Sequence, residues 1–238
     1  MELKGILSKI PRQKVFCSAV IVAAGNSTRM GFDKLMANLS GEPVLQRTIN
    51  AFEQNSNIDE IIVVTQENKL EEVAALCNAW GFSKVKKVQV GGKLRMESVL
   101  AGVCAISEKA ELVAIHDGAR PLVSKKLIDS CVQLAANKGA CVPCIRPSDT
   151  VKKVNGKGCV AETLDRSKVA LIQTPQVFNP ILIKGALTSA LKNRLEVTDD
   201  SAAAEAFGMK VFAIDGEKTN IKLTTPDDFH LAEYYLKG

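Results

Sequence analysis

Short segments rich in β-branched residues alternate with longer amphipathic segments along most of the chain, and this alternation most constrains the fold. The short segments predict strands at residues 15–23, 58–65, 85–90, 112–116, 140–145 and 210–214. The longer segments have apolar residues at helical spacing and predict helices at residues 43–54, 69–80, 95–107, 125–137 and 179–191. This pattern predicts a three-layer α/β fold, in which helices cover both faces of a mostly parallel sheet and ligands bind at the carboxyl ends of the strands.

The alternation is interrupted between residues 149 and 172, where two short β-like runs flank Asn155-Gly156. Asn-Gly between such runs is a strong signal for a β-hairpin. A two-stranded hairpin is only marginally stable alone, so it must pack either on its own domain or on a second subunit. We therefore expect one domain over residues 15–238, with an arm at about 146–172, after an N-terminal extension of residues 1–14.

Composition excludes several classes of protein. The chain has 238 residues, of which 46% are hydrophobic and 24% charged, values typical of soluble globular proteins rather than disordered or fibrous ones. The formal net charge is +5, but no dense Lys/Arg stripe is interleaved with aromatic residues, so we expect no nucleic-acid partner. Seven scattered cysteines indicate buried thiols in a reducing compartment, not a disulfide framework.

The N-terminus resembles a secretory signal, because basic residues at positions 4, 9, 12 and 14 precede an apolar run at 15–24. That run leads directly into a glycine-containing loop, residues 23–31, that we interpret below as a functional loop, so cleavage there would remove functional residues. Ten apolar residues are also too few to cross a bilayer as a helix. We expect a cytoplasmic protein that does not associate with membranes.

The first predicted strand ends in a loop of small residues, 23–31, which contains Arg29 and is followed by Lys34. Small residues at this position let backbone N–H groups approach an anion, and the two cations add positive charge. The loop lacks the Gly-Lys-Ser/Thr of a P-loop and the G-x-G-x-x-G of dinucleotide folds. Together with Gly41-x-Pro43 downstream, it resembles the N-terminal signature of nucleotidyltransferases that activate sugars and polyols.

A second motif, His-Asp-Gly-Ala-Arg-Pro at residues 116–121, follows the fourth predicted strand. A carboxylate at a strand end, here Asp117, can hold a ribose hydroxyl or a metal. Arg120 can bind a phosphate through two parallel hydrogen bonds. We interpret His116 as a structural residue rather than a base.

With Asp149-Thr150, Asp165-Arg166, Thr174-Pro175-Gln176 and Asn220-Ile221-Lys222, these motifs make the chain resemble the 2-C-methyl-D-erythritol 4-phosphate cytidylyltransferases over about residues 15–236. The resemblance implies a Rossmann-like three-layer nucleotidyltransferase fold with a protruding β-hairpin arm that reaches into the partner subunit of a homodimer. It implies that CTP and 2-C-methyl-D-erythritol 4-phosphate react to give 4-diphosphocytidyl-2-C-methyl-D-erythritol and pyrophosphate.

The resemblance also assigns residues, position by position. It places CTP against Ala23, Ala24, Gly25, Gly92, Ser98, Asp117 and Gly118, and assigns transition-state stabilisation to Arg29 and Lys34. It places the methylerythritol phosphate against Asp117, Arg120, Thr150, Arg166, Thr174, Thr198 and Lys222, of which Arg166 and Lys222 orient the phosphate for attack. The sequence departs from the family pattern at Asp33, Lys93 and Gly118, where Pro, an acidic residue and Ala are common; the first two affect the expected loop geometry.

A phosphate monoester, with a second pKa of about 6, is mostly a dianion at neutral pH and needs no general base to act as a nucleophile. The reaction requires cations around the phosphates, so we expect Lys, Arg and Mg²⁺, with the metal bound mainly by the CTP phosphates.

Two alternatives stay open: a ribitol 5-phosphate cytidylyltransferase, which resembles the chain in the same loops, and a non-catalytic nucleotide-binding regulator. The Asp-Thr and Asp-Arg matches favour methylerythritol phosphate as the substrate. Arg29 and Lys34 argue against a protein that only binds a nucleotide.

Overall fold

The computed structural model describes residues 15–25 and 31–237. Its strands are β1 (Cys17–Val22), β2 (Asn38–Leu39), β3 (Glu42–Pro43), β4 (Glu60–Thr65), β5 (Val85–Val90), β6 (Leu112–Asp117), β7 (Ala140–Ile145), β8 (Lys152–Val154), β9 (Val160–Thr163), β10 (Leu171–Ile172), β11 (Gln176–Phe178) and β12 (Phe212–Asp215). Its α-helices are α1 (Val44–Glu53), α2 (Leu70–Ala79), α3 (Arg95–Ala105), α4 (Lys125–Lys138), α5 (Pro180–Lys192), α6 (Asp200–Ala206) and α7 (Pro226–Leu236). The extension 1–14 and Arg29 lie outside the described residues.

The predicted three-layer α/β architecture is confirmed. The main sheet has the order β10-β7-β11-β6-β1-β4-β5, and β12 pairs with β7. β1 lies in the interior of the sheet and pairs in parallel with both β4 and β6. β11 runs antiparallel between β6 and β7, so it reverses one position of an otherwise largely parallel sheet.

Both faces of the sheet are buried at β1, β4 and β6, which explains why these strands are nearly continuous apolar runs. Alternate side chains of β1 point to opposite faces: Ile21 packs toward the layer of α1, α2, α4 and α7, and Val20 toward the layer of α3, α5 and α6. α3 approaches the sheet closely at Gly102, where an added Cβ would lie 2.4 Å from Val20 Cγ1. A side chain at this position would push the helix away from β1.

Six of the described strands and α-helices were not predicted from the sequence: β2, β3, β10, β11, α6 and α7. β2, β3 and β10 have two residues each, too few for an alternation. β11 is only three residues long and follows a polar motif, so it has no alternation to detect. α6 spans seven residues, which is too short for a clear helical repeat. α7 has a single fully buried apolar residue, Ala232, so its periodicity is weak.

The predicted hairpin forms as a separate two-stranded sheet of β8 and β9. In its turn, the Asn155 side chain accepts hydrogen bonds from the N–H groups of Lys157 and Cys159, each 3.0 Å long. Every residue of both strands is exposed, including Val154 at 54% and Val160 at 62%. Within one chain the hairpin therefore projects from the domain instead of folding back on it.

Among the described helices, none combines the length and apolarity that a bilayer span needs.

Candidate active site

A cleft of about 530 Å³ opens at the carboxyl ends of β1, β4, β5 and β6. Seven of the residues expected from the sequence line it: Ala24, Gly25, Lys34, Gly92, Ser98, Asp117 and Lys222. Ala23 and Gly118 lie beneath it as buried backbone, with Ala23 N–H donating to Val64 O and Gly118 N–H to Val22 O. Strand ends from distant parts of the sequence thus share one cavity, as expected for an α/β sheet.

One wall of the cleft is the turn between β5 and α3. An added Cβ on Gly91 would lie 2.6 Å from Ser98 Oγ and 2.7 Å from Ala24 Cβ, so only glycine allows this approach to the β1 loop. The Gly92 N–H donates to Ser98 Oγ at 3.1 Å. The first residue of α3, Arg95, also lines the cleft, so the positive end of the helix faces a cavity suited to an anion.

Asp117, at the end of β6, is the buried carboxylate of the cleft. Its Oδ1 lies 3.3 Å from Arg95 Nε, and its Oδ2 lies 3.1 Å from Lys222 Nζ and 3.4 Å from Arg120 Nε. Burial alone would raise the pKa of Asp117, but the charges of Arg95, Lys222 and Arg120 outweigh it and hold the pKa well below its ordinary range. Asp117 is therefore a fixed negative charge at neutral pH.

Arg95 and Asp200 belong to this cluster and were not assigned from the sequence. The Nη1 and Nη2 atoms of Arg95 each lie 2.9 Å from an oxygen of Asp200, in the first turn of α6. Burial raises the pKa of Asp200, an effect that the Arg95 charge opposes. The available sequence signal was proximity to residues already assigned, since Arg95 precedes Ser98 by three positions and Asp200 follows Thr198 by two.

His116 lies beneath Asp117 and holds the strand end by two hydrogen bonds. Thr174 Oγ1 accepts from the Asp117 N–H at 3.1 Å and lies 2.9 Å from His116 Nδ1, while His116 Nε2 lies 3.1 Å from Arg120 O. Burial lowers the pKa of His116 to about 4, so the ring is neutral at pH 7. The carbonyl of Arg120 can only accept, so we assign the ring proton to Nε2 and the Thr174 hydroxyl proton to Nδ1. His116 is a structural residue, as the sequence indicated.

Residues 217–223 bring Lys222 to the cleft. Arg120 Nη1 donates to Asn220 O at 2.8 Å, and the buried Asn220 side chain donates to Thr174 O at 2.8 Å. Lys34 reaches the same segment, with its Nζ donating to Leu223 O at 2.9 Å. Lys34 and Lys222, 188 positions apart in the sequence, are thereby tied to one wall of the cleft.

Other predicted site residues lie elsewhere. Thr150 and Arg166 are exposed at the base of the hairpin arm and do not line the cleft of their own chain; Arg166 donates to Ser148 O at 2.6 Å. Thr198 is exposed just before α6. Asp33, one of the departures from the family pattern, forms an ion pair with Lys69.

Comparisons with known proteins agree with this geometry. The family model described as 2-C-methyl-D-erythritol 4-phosphate cytidylyltransferase matches residues 17–238. A protein of that name from Halalkalibacterium halodurans is 42% identical over 221 residues, which covers 92% of this chain and 96% of the relative. One from Dehalococcoides mccartyi is 41% identical, with coverages of 92% and 95%.

Solved structures are similar as well. The crystal structure of 4-diphosphocytidyl-2C-methyl-D-erythritol synthase from Anaerococcus prevotii superimposes with a TM-score of 0.84 at 31% identity, covering 94% of this chain and 97% of that one. The 2-C-methyl-D-erythritol 4-phosphate cytidylyltransferase from Thermus thermophilus gives a TM-score of 0.74 at 29% identity, with coverages of 92% and 98%.

The buried, neutral His116 predicts a specific dependence of stability on pH. Between pH 6.5 and about 4 the unfolded state binds a proton at this residue that the folded state does not, so acid favours unfolding in this window. We expect wild type to lose about 2 kcal/mol more stability between pH 7 and pH 5 than His116→Gln, measured by urea unfolding. His230→Gln, at an exposed position on α7, is the matched control. An equal loss in wild type and His116→Gln would contradict a buried neutral ring.

Proposed function

The chain belongs to the 2-C-methyl-D-erythritol 4-phosphate cytidylyltransferase family, and on that premise we propose that the cleft around Asp117 is its active site. The enzyme transfers the cytidylyl group of CTP to 2-C-methyl-D-erythritol 4-phosphate, giving 4-diphosphocytidyl-2-C-methyl-D-erythritol and pyrophosphate. The observation that supports the site is the convergence of the glycine turn at Gly91, the start of α3, Lys34 and Lys222 on one cavity. Their backbone N–H groups and positive charges suit two phosphorylated ligands that must come into contact to react.

Bond making and breaking in this reaction need positive charge more than a base. A phosphate oxygen of the methylerythritol phosphate attacks the α-phosphorus of CTP, and the bond from that phosphorus to the oxygen bridging to the β-phosphate breaks. The nucleophile is already a dianion, so no proton has to be removed from it. His116 is buried and neutral beneath the site, which agrees with a mechanism without a general base. Lys34 and Lys222 would offset the repulsion between the ligands and the charge that develops on the α-phosphate.

Magnesium is part of this proposal. In the described part of the chain, no three histidine, cysteine or carboxylate side chains come together as ligands for a metal. The cleft offers two carboxylates, Asp117 and Glu67. Mg²⁺ is commonly held by one or two carboxylates together with substrate phosphates, so these residues fit an ion carried by CTP. Asp117 would hold it on the protein side, and the bound ion would neutralise part of the triphosphate charge.

We propose a homodimer in which the arm of one subunit brings Thr150 and Arg166 to the cleft of the other. Both residues are exposed at the base of the arm, and neither reaches the cleft of its own chain. The exposed Val154 and Val160 provide apolar surface for such a contact.

We also propose a cytoplasmic location, because all seven cysteines are unpaired, as expected in a reducing compartment.

The activity is tested by pyrophosphate release from CTP and Mg²⁺ with each of two acceptors. We expect turnover with 2-C-methyl-D-erythritol 4-phosphate and little with ribitol 5-phosphate. A preference for ribitol 5-phosphate would assign the chain to that substrate instead. CTP binding without turnover of either acceptor would identify a nucleotide-binding regulator.

Replacement of Lys34 tests the proposed role of its charge. Loss of one group that stabilises transition-state charge costs about 2.7 to 4 kcal/mol, so Lys34→Ala should lower kcat by about 10²- to 10³-fold. Steady-state pyrophosphate release measures this effect. Lys126→Ala, at an exposed position on α4, removes the same charge away from the cleft and should keep wild-type kcat. Near-normal kcat for Lys34→Ala would remove Lys34 from the mechanism.

Sedimentation velocity tests the dimer. Wild type should sediment as a dimer, and Val154→Asp should weaken association by about 100-fold or more, because an unpaired carboxylate in an interface costs several kcal/mol. The matched control is Ile181→Asp, which places the same charge at another exposed apolar residue, on α5. A fully active monomeric wild type would refute the proposal.

A further inference from the structure

We propose that Arg95 and Asp200 form a fixed clamp that positions Asp117 for CTP, so that Asp200 acts as a positioning residue although it does not line the cleft. This inference rests on the proposed function, since it concerns the nucleotide site of that enzyme. It concerns two residues that the sequence motifs did not assign, and it gives the two oxygens of Asp117 different roles.

The geometry of Arg95 favours a clamp over a phosphate-binding cation. Its guanidinium uses Nη1 and Nη2 on Asp200, at 2.9 Å each, and Nε on Asp117 Oδ1, at 3.3 Å. A planar guanidinium fits such a two-carboxylate bridge, which a lysine ammonium could not reproduce. Asp200 has a side-chain exposure of only 1%, so release of Arg95 toward a ligand would leave a buried carboxylate without its partner. Arg95 should therefore stay in place when CTP binds.

The other oxygen of Asp117 has looser partners. Lys222 contacts Oδ2 through one ion pair of 3.1 Å, and its side chain is 39% exposed. Arg120 contacts Oδ2 at 3.4 Å and is also bonded to Asn220 O. An incoming phosphate can draw Lys222 away at little cost in burial. This opens one side of Oδ2 to a ligand, while Arg120 stays beside that oxygen and Arg95 keeps the carboxylate oriented through Oδ1.

The clamp is itself anchored to the sheet. Gln176, in β11, donates through Nε2 to Asp199 Oδ2 at 2.8 Å and accepts through Oε1 from the Ser201 N–H at 2.9 Å. These two bonds flank Asp200 and fix the start of α6. A continuous series of contacts therefore runs from β11 through Asp200 and Arg95 to Asp117.

The test measures the dissociation constant of CTP by calorimetry, with Mg²⁺ and without the second substrate. Asp200→Asn keeps the shape of the side chain and removes its charge, and we expect about tenfold weaker CTP binding, within the range of coupling between contacting residues. Arg95→Lys should weaken CTP binding similarly despite its retained charge. Glu205→Gln is the matched control: it removes a carboxylate charge from an exposed position of the same helix, so it should change CTP affinity by less than about twofold.

A double-mutant cycle separates positioning from a general structural effect. If Asp200 acts through Arg95, Asp200→Asn should weaken CTP binding no further in an Arg95→Ala background. The inference would be overturned by multiplicative effects in the cycle, by wild-type affinity in folded Asp200→Asn, or by an equal loss in Glu205→Gln. If Asp200→Asn does not fold, the CTP affinity of Arg95→Lys is the deciding measurement. Wild-type affinity in Arg95→Lys would overturn the inference. Wild-type protein that does not bind CTP would instead refute the proposed function.

Discussion

The arrangement of the cleft depends on one buried carboxylate, Asp117, and on the cations that keep it ionised. A charge at the end of a central strand is costly to bury unless it is paired. Its partners come from α3, from the turn after β6 and from residues 217–223, so the ion cluster joins three distant parts of the chain at one point. In the proposed function, Lys222 of this cluster supplies positive charge to the phosphorylated ligands.

The short antiparallel segment around β11 organises the polar groups that support this cluster. Gln173 bonds to the backbone of Glu217, Thr174 bonds to His116 and to the Asp117 N–H, and Gln176 bonds to the start of α6. Because this strand runs against its neighbours, the residues that precede it lie at the end of the sheet where β6 terminates. One reversed strand thereby holds the end of β6, the backbone at Glu217 and the start of α6 in place.

The cations around Asp117 differ in how firmly they are held, and that difference suits a reaction between two anions. Arg95 contacts two carboxylates through three of its nitrogen atoms, whereas Lys222 makes a single ion pair with Asp117. A site that combines a rigid charge with a displaceable one can keep its shape while a cation moves to a phosphate. His116 is buried beneath the site and is neutral, so it adds no charge there.

The sequence by itself determined the layered α/β architecture and the hairpin, because apolar periodicity and Asn-Gly turns are local signals. The family resemblance carried by its motifs assigned seven of the residues that line the cleft. The sequence did not predict β11, α6 or α7, whose repeats are too short or too weak to detect. It also could not pair Arg95 with Asp200, which lie 105 positions apart, or place Lys34 and Lys222 on one wall. Only the tertiary structure decided these contacts, because an ion pair depends on distance and burial in space, and neither is written in the spacing of residues along the chain.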